Sequence, residues 1–108
     1  MIEIKHYFLE NGSDPFAEWL QSLKDTKGRV KIKINIDRMS LGNFSNCKGL
    51  GDGVSELKID FGPGYRVYYG KIDKLVILLL CGGDKPAQKK DISTAKKYWL
   101  EYKRRALK

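Results

Sequence analysis

Hydrophobic and polar residues change period several times along the chain, and each change marks a predicted element. Ile2 to Phe8 alternates imperfectly but is rich in β-formers, which predicts a first strand. Asn11-Gly12-Ser13-Asp14 interrupts it, with Asp14 placed to cap a helix whose first residue is Pro15. Phe16, Trp19, Leu20 and Leu23 follow at helical spacing, and Gly28 reads as the end of that segment. From Arg29 to Met39 two readings stand. Val30, Ile32, Ile34 and Ile36 alternate with polar residues, as in a strand, and β-branched side chains favour one. Ile32, Ile36 and Met39 also share one helical stripe. Leu41 to Gly53, rich in Gly and Asn, reads as loop.

Three strands are predicted next, over about 54–60, 65–70 and 75–81. The last is apolar throughout, as expected of a central strand covered on both faces. Gly82-Gly83-Asp84-Lys85-Pro86 stops it. From about Lys89 a final helix carries Ile92, Ala95, Trp99, Tyr102 and Ala106 on one stripe. Lys89, Lys90, Lys96, Lys97, Lys103 and Arg104 take its other face. The pattern shows no repeat, linker or low-complexity tract, so 1–108 reads as a single domain.

The meander fixes its own register. Leu57 and Ile59 alternate with Glu56, Lys58 and Asp60; Tyr65, Val67 and Tyr69 alternate with Arg66 and Tyr68. A sheet has to place both apolar sets on one face, because a slip of one residue turns a whole set outward. Leu57 therefore pairs with Val67 or Tyr69 across a turn of odd length around Phe61-Gly62-Pro63-Gly64, and Lys58 faces Arg66 or Tyr68. The third strand ends beside the start of the second, which brings Lys85 to the same end of the sheet as Lys58 and Arg66. Like charges placed opposite one another are destabilising, so three cations gathered on an otherwise charged, outward face predict an anion site. A solvated lattice with Glu56 and Asp60 is the plainer alternative.

Composition sharpens this. A net charge of +8 on 108 residues points to a polyanionic partner, and 42% hydrophobic residues suffice for a core. MIEIKHYF lacks the features of a signal peptide, and the apolar run from Leu75 to Cys81 is too short to span a bilayer. A cytoplasmic location is expected. Cys47 and Cys81 lack paired spacing, and His6 has no clustered partners, so neither a metal nor another cofactor is expected. GLGDG at 49–53 lacks the Lys-Ser/Thr of a phosphate-binding loop. The cationic set suits RNA cleavage without a metal, which needs a base for the 2′-OH, a stabiliser of the phosphorane and an acid for the leaving 5′-oxygen. Lys58 is the candidate base, Arg66 offers a planar fork to phosphate, and Lys85, Asp84 or Tyr68 is placed to supply the last proton. Tyr68, with Tyr69, is a candidate to stack on a splayed base.

GVSELKIDFGPGYRVYYG, then LLLCGGDK, then a helix of the form D-I-x-x-A-K-x-Y-W resembles the RelE/ParE superfamily of toxin–antitoxin toxins. Within it, the HigB-like, phage Gp49-related addiction module killer proteins are the nearest likeness, and LGNF-x-x-x-K-x-L-G-x-G from Leu41 to Gly53 extends the match over nearly the whole chain. The resemblance implies an α+β fold in the order β-α-α-β-β-β-α, with two N-terminal helices packed on a small antiparallel sheet, and so a helix over 29–39. It implies a ribosome-dependent mRNA endonuclease that uses 2′-OH attack, leaves a cyclic phosphate and is neutralised by a helix-turn-helix antitoxin. Lys58 matches a basic strand position of such ribonucleases and Arg66 the arginine of their GYR-type motif; the GGDK element falls where acid or base residues lie. Glu56 stands where well-known members have a second lysine, and some relatives use a glutamate as base. Lys48, Lys89, Lys90, Lys96 and Lys97 are the expected contacts to rRNA. The ParE branch implies a different activity on the same fold, poisoning of DNA gyrase without nuclease action.

Overall fold

A computed structural model describes residues 1–107. The elements are β1 (Glu3–His6), α1 (Pro15–Ser22), α2 (Thr26–Ser40), β2 (Cys47–Gly51), β3 (Val54–Ile59), β4 (Tyr65–Asp73), β5 (Val76–Asp84), a 3₁₀ turn (Lys85–Ala87) and α3 (Gln88–Ala106). The five strands form one sheet in the order β1-β5-β4-β3-β2. β1 runs parallel to β5 and the other pairs are antiparallel. The class is α+β as expected, but the sheet is mixed, which corrects the antiparallel expectation. A second correction lies at 47–51, read as loop and found as the edge strand β2. Two glycines hid it, because they remove the β-propensity that would have marked a strand.

The helices sit on opposite faces of the sheet. One core joins Phe16 of α1 and Ile32, Ile36 and Met39 of α2 to Leu57, Ile59, Tyr65, Val67, Tyr69, Ile77 and Leu79. The other places Ala95 and Trp99 of α3 against Val54, Tyr68, Leu78, Leu80 and Cys81. β5 is thus covered on both sides, as its unbroken apolar run requires. Leu57 pairs with Val67 and Lys58 with Arg66 across a five-residue turn, the odd-length solution. Gly62 and Gly64 in that turn have φ of +57° and +82°, values that L side chains rarely adopt.

Asp14 caps α1, its Oδ1 accepting from the Ala17 amide at 3.0 Å, and Pro15 opens the helix. Residues 29–39 are helical. Ile32, Ile36 and Met39 find the sheet, whereas Val30 and Ile34 remain 52% and 40% exposed, so one helical stripe is satisfied where strand alternation would need a partner edge. Gly28 does not end a helix. α1 stops at Ser22, and Gly28 lies inside the first turn of α2, where its amide donates to the capping Asp25 at 2.9 Å. Gly28 has no room for a side chain beneath Tyr65, which explains a glycine at a position that is otherwise helical.

Glycines also seat the two tryptophans. The Trp99 ring lies on Gly70, and Trp19 lies on Gly82, with no space for a Cβ at either. The alternation that the strands need is therefore broken where the helices press closest.

Candidate functional site

The open end of the sheet is built by the β3–β4 turn and the β5–α3 connection. Lys58 and Arg66 stand directly opposite, and Arg66 is paired on its other side with Gly83. Lys85 follows β5 in the 3₁₀ turn. A side chain added at Gly64 would stand 3.4 Å from Arg66 Nη1 and 3.7 Å from Lys85 Cβ, so both cationic residues border one spot. The Lys58 and Lys85 side chains are exposed, and neither makes an ion pair among the described residues.

Arg66 departs from the open clamp that the sequence predicts. It is buried, with its Nε 3.6 Å from Glu56 Oε2; the two side chains are 7% and 6% exposed. Nη1 donates to the Gly64 carbonyl at 2.9 Å, and Gln88 Nε2 donates to Glu56 Oε1 at 3.4 Å. The charged face of β3 and β4 is not a free surface, because the start of α3 roofs it. Glu56 is correspondingly turned into Arg66 and Gln88 and is not open to a substrate hydroxyl. Tyr68 has 0% exposure and Tyr69 1% in the opposite core. Neither ring is a platform for a base, which corrects the stacking expectation. Burial, then the charges of Glu56 and Asp91, push the Tyr68 hydroxyl far up, so it is no ready proton donor.

Gln88 and Asp91, both from the first turn of α3, are the residues that sequence reasoning missed. Asp91 packs its carboxylate against Gly83, and its backbone carbonyl receives the Cys81 thiol at 3.9 Å. Gly83 was the available signal, since a strand position without a side chain invites close approach. Burial pushes the Cys81 thiol up to about 12, leaving it inert as a nucleophile. Three buried polar atoms here have no hydrogen-bond partner among the described residues, namely Arg66 Nε, Tyr68 OH and Asp91 Oδ2.

Burial, then the neighbouring Asp84, raises the Asp91 carboxyl above its ordinary value of 3.8. A raised carboxyl favours the protonated form in the folded chain, so its contribution is present below 3.8 and lost as pH rises through the folded value. Asp91→Asn, which keeps the shape and removes the charge, is expected to raise the melting temperature at neutral pH. That gain disappears below pH 3.8, and melts across the acid range check it.

The remaining candidates are spread along the α3 side. Asp84 is half-buried opposite Tyr65. Lys48 is exposed on β2, directly opposite Glu56. Lys89, Lys90 and Lys97 are exposed on α3, whereas Lys96 ties the β2–β3 turn through Asp52 at 3.3 Å. Among the described residues no group of three or more His, Cys, Asp or Glu is placed to hold a metal, and no helix is long and apolar enough to cross a membrane.

A Haemophilus influenzae protein described as an "Uncharacterized protein" is 47% identical over 81 residues, spanning 75% of this chain and 82% of its own length. The chain belongs to that protein's family. No family model matches it. The shared length exceeds what the meander alone occupies, so the likeness takes in at least one helical layer together with strands.

Proposed function

We propose that this chain is a RelE-like toxin of a type II toxin–antitoxin module, of the HigB-like group, acting as a ribosome-dependent mRNA endonuclease. The observation that carries the reading is the cross-strand pairing of Lys58 with Arg66 at the sheet end where Lys85 also enters. Glu56 already balances Arg66, whereas the exposed Lys58 and Lys85 have no carboxylate partner among the described residues. Cations set this close favour an anion, and a phosphodiester supplies one. The element order supports the reading too, with β2 as an addition to the RelE-like plan.

In this reading Lys58 and Lys85 are the head groups that meet the scissile phosphate. One takes the proton of the 2′-OH, which attacks the adjacent phosphorus. The P–O5′ bond breaks, the other lysine protonates the 5′-oxygen, and a 2′,3′-cyclic phosphate remains. Arg66 lies beneath, contributing positive potential to the phosphorane from a site of low dielectric. Glu56 holds Arg66 in place. The exposed lysines of α3 and Lys48 grip rRNA, a contact that weakens steeply with salt.

The burial of Arg66 against Glu56 favours a second reading, a ParE-like poison of gyrase that needs no accessible clamp. Induction in a bacterial host followed by ribosome profiling separates the two. Cleavage within translated codons is the expected result. Loss of supercoiling with intact messages overturns the nuclease reading in favour of the second.

A further inference from the structure

On the other side of the sheet, a groove runs between α2 and the end of β3 that β2 leaves uncovered. β2 pairs with β3 only as far as Leu57, beyond which the Lys58 amide donates to the Asn46 carbonyl at 3.0 Å. The groove has a larger lobe of about 240 Å³ that includes Lys31, Ile34, Asp60 and Phe61. A smaller one of about 40 Å³ adds Asn43 and Ser45, and Asn35, Arg38 and Asn46 line both. We propose that this groove binds one base of a single-stranded RNA whose backbone crosses the free edge of β3.

The chemistry of the lining selects that ligand. Asn46 makes no side-chain hydrogen bond among the described residues, so its amide presents both a donor and an acceptor. Asn35 spends its Nδ2 on the Lys31 carbonyl at 2.8 Å and keeps its Oδ1. Asn43 accepts from the Ser45 amide at 3.0 Å and keeps its Nδ2. Amides in this state match the mixed donor and acceptor edge of a base. Phe61 is half-buried with Lys31 Nζ 5.8 Å from its ring centroid, which gives a face for stacking beside a cation. Lys31 and Arg38 are exposed and have no carboxylate partner among the described residues, so they are free for phosphates.

The lobes are small and offer little apolar surface. The accessible apolar surface is Phe61 and Ile34, because Ile59 and Leu57 are 2% exposed; an amphipathic helix needs a longer apolar seam. Both lobes together fall short of the roughly 300–1,000 Å³ of drug-sized pockets.

The inference goes beyond the proposed cleavage and does not depend on it, since its readout is binding. The purified chain is titrated with short homo-oligoribonucleotides of A, C, G and U, followed by amide NMR and fluorescence polarisation. Shifts at Lys31, Asn35, Arg38, Asn46 and Phe61 are expected, with unequal affinity among the four. Phe61→Ala should weaken the preferred oligomer by about tenfold, the scale of one stacked base. Asn46→Ala, at an exposed position, should level the preference without affecting the fold. Shifts confined to α3 and Lys58, equal affinity for all four oligomers, unchanged binding by Asn46→Ala, or no binding would each overturn the proposal. Lys58→Ala should leave the base preference intact, so loss of the cleavage reading alone would leave this one standing.

Discussion

Arg66→Ala is expected to lower the unfolding free energy by about 3–5 kcal/mol, because it leaves Glu56 buried without its counter-charge. Sequence reasoning alone predicts a silent effect on the fold, since it places Arg66 on an open face; burial reverses that. Loss of toxicity in the single variant is therefore ambiguous, and a pair of variants resolves it. Glu56→Leu combined with Arg66→Met removes both charges and fills similar volume, a replacement that is typically neutral or stabilising. The double variant should regain the urea midpoint of the parent yet remain non-toxic. Restored stability with restored toxicity would mean that Arg66 does no more than balance Glu56.

Trp99→Ala should cost about as much, roughly 3–5 kcal/mol. Its ring is 7% exposed, lies on Gly70 and Gly53, and stacks on Tyr102 at 5.6 Å and 13°. It holds α3 to the sheet, so its loss also loosens the roof over Arg66. Gly70→Ala tests the same contact from the other side, at about 1–3 kcal/mol for forced overpacking. Because the two residues touch, the double variant should cost less than the singles together. Chemical denaturation of all three measures that coupling, and strict additivity would show that Trp99 is held mainly by other neighbours.

Much of this architecture was legible. The odd-length turn followed from alternation, because a slip of one residue would turn a whole apolar set outward. Alternation left Leu57 a choice between Val67 and Tyr69, and the structure pairs it with Val67. Helix α2 was not legible from its own period, since Val30 and Ile34 mimic a strand and stay exposed. β2 was hidden by its glycines, and the parallel placement of β1 depends on long-range topology that local pattern does not encode. At the candidate site, pairing put Lys58, Arg66 and Lys85 at one end correctly, but nothing local told that α3 would cover Arg66 and Tyr68. Glu56, Arg66 and Tyr68 look like an outward charged face because a strand pattern records alternation, not which face a distant helix chooses. Gln88 and Asp91 were missed for the same reason: Gln88 meets Glu56 and Asp91 meets Gly83 only because the start of α3 folds back on the sheet.

The proposal that exposed lysines at this sheet end act on a phosphodiester is tested by primer extension on a translating message with purified ribosomes, comparing the parent with Lys58→Met/Lys85→Met. Both residues are exposed, so the variant should match the parent in stability. Cuts within A-site codons carrying 2′,3′-cyclic phosphate ends are expected, with a fall of at least about a hundredfold in the variant, the lower scale for positioned acid–base groups. Undiminished cutting by the variant, or an intact message with the parent, would contradict it.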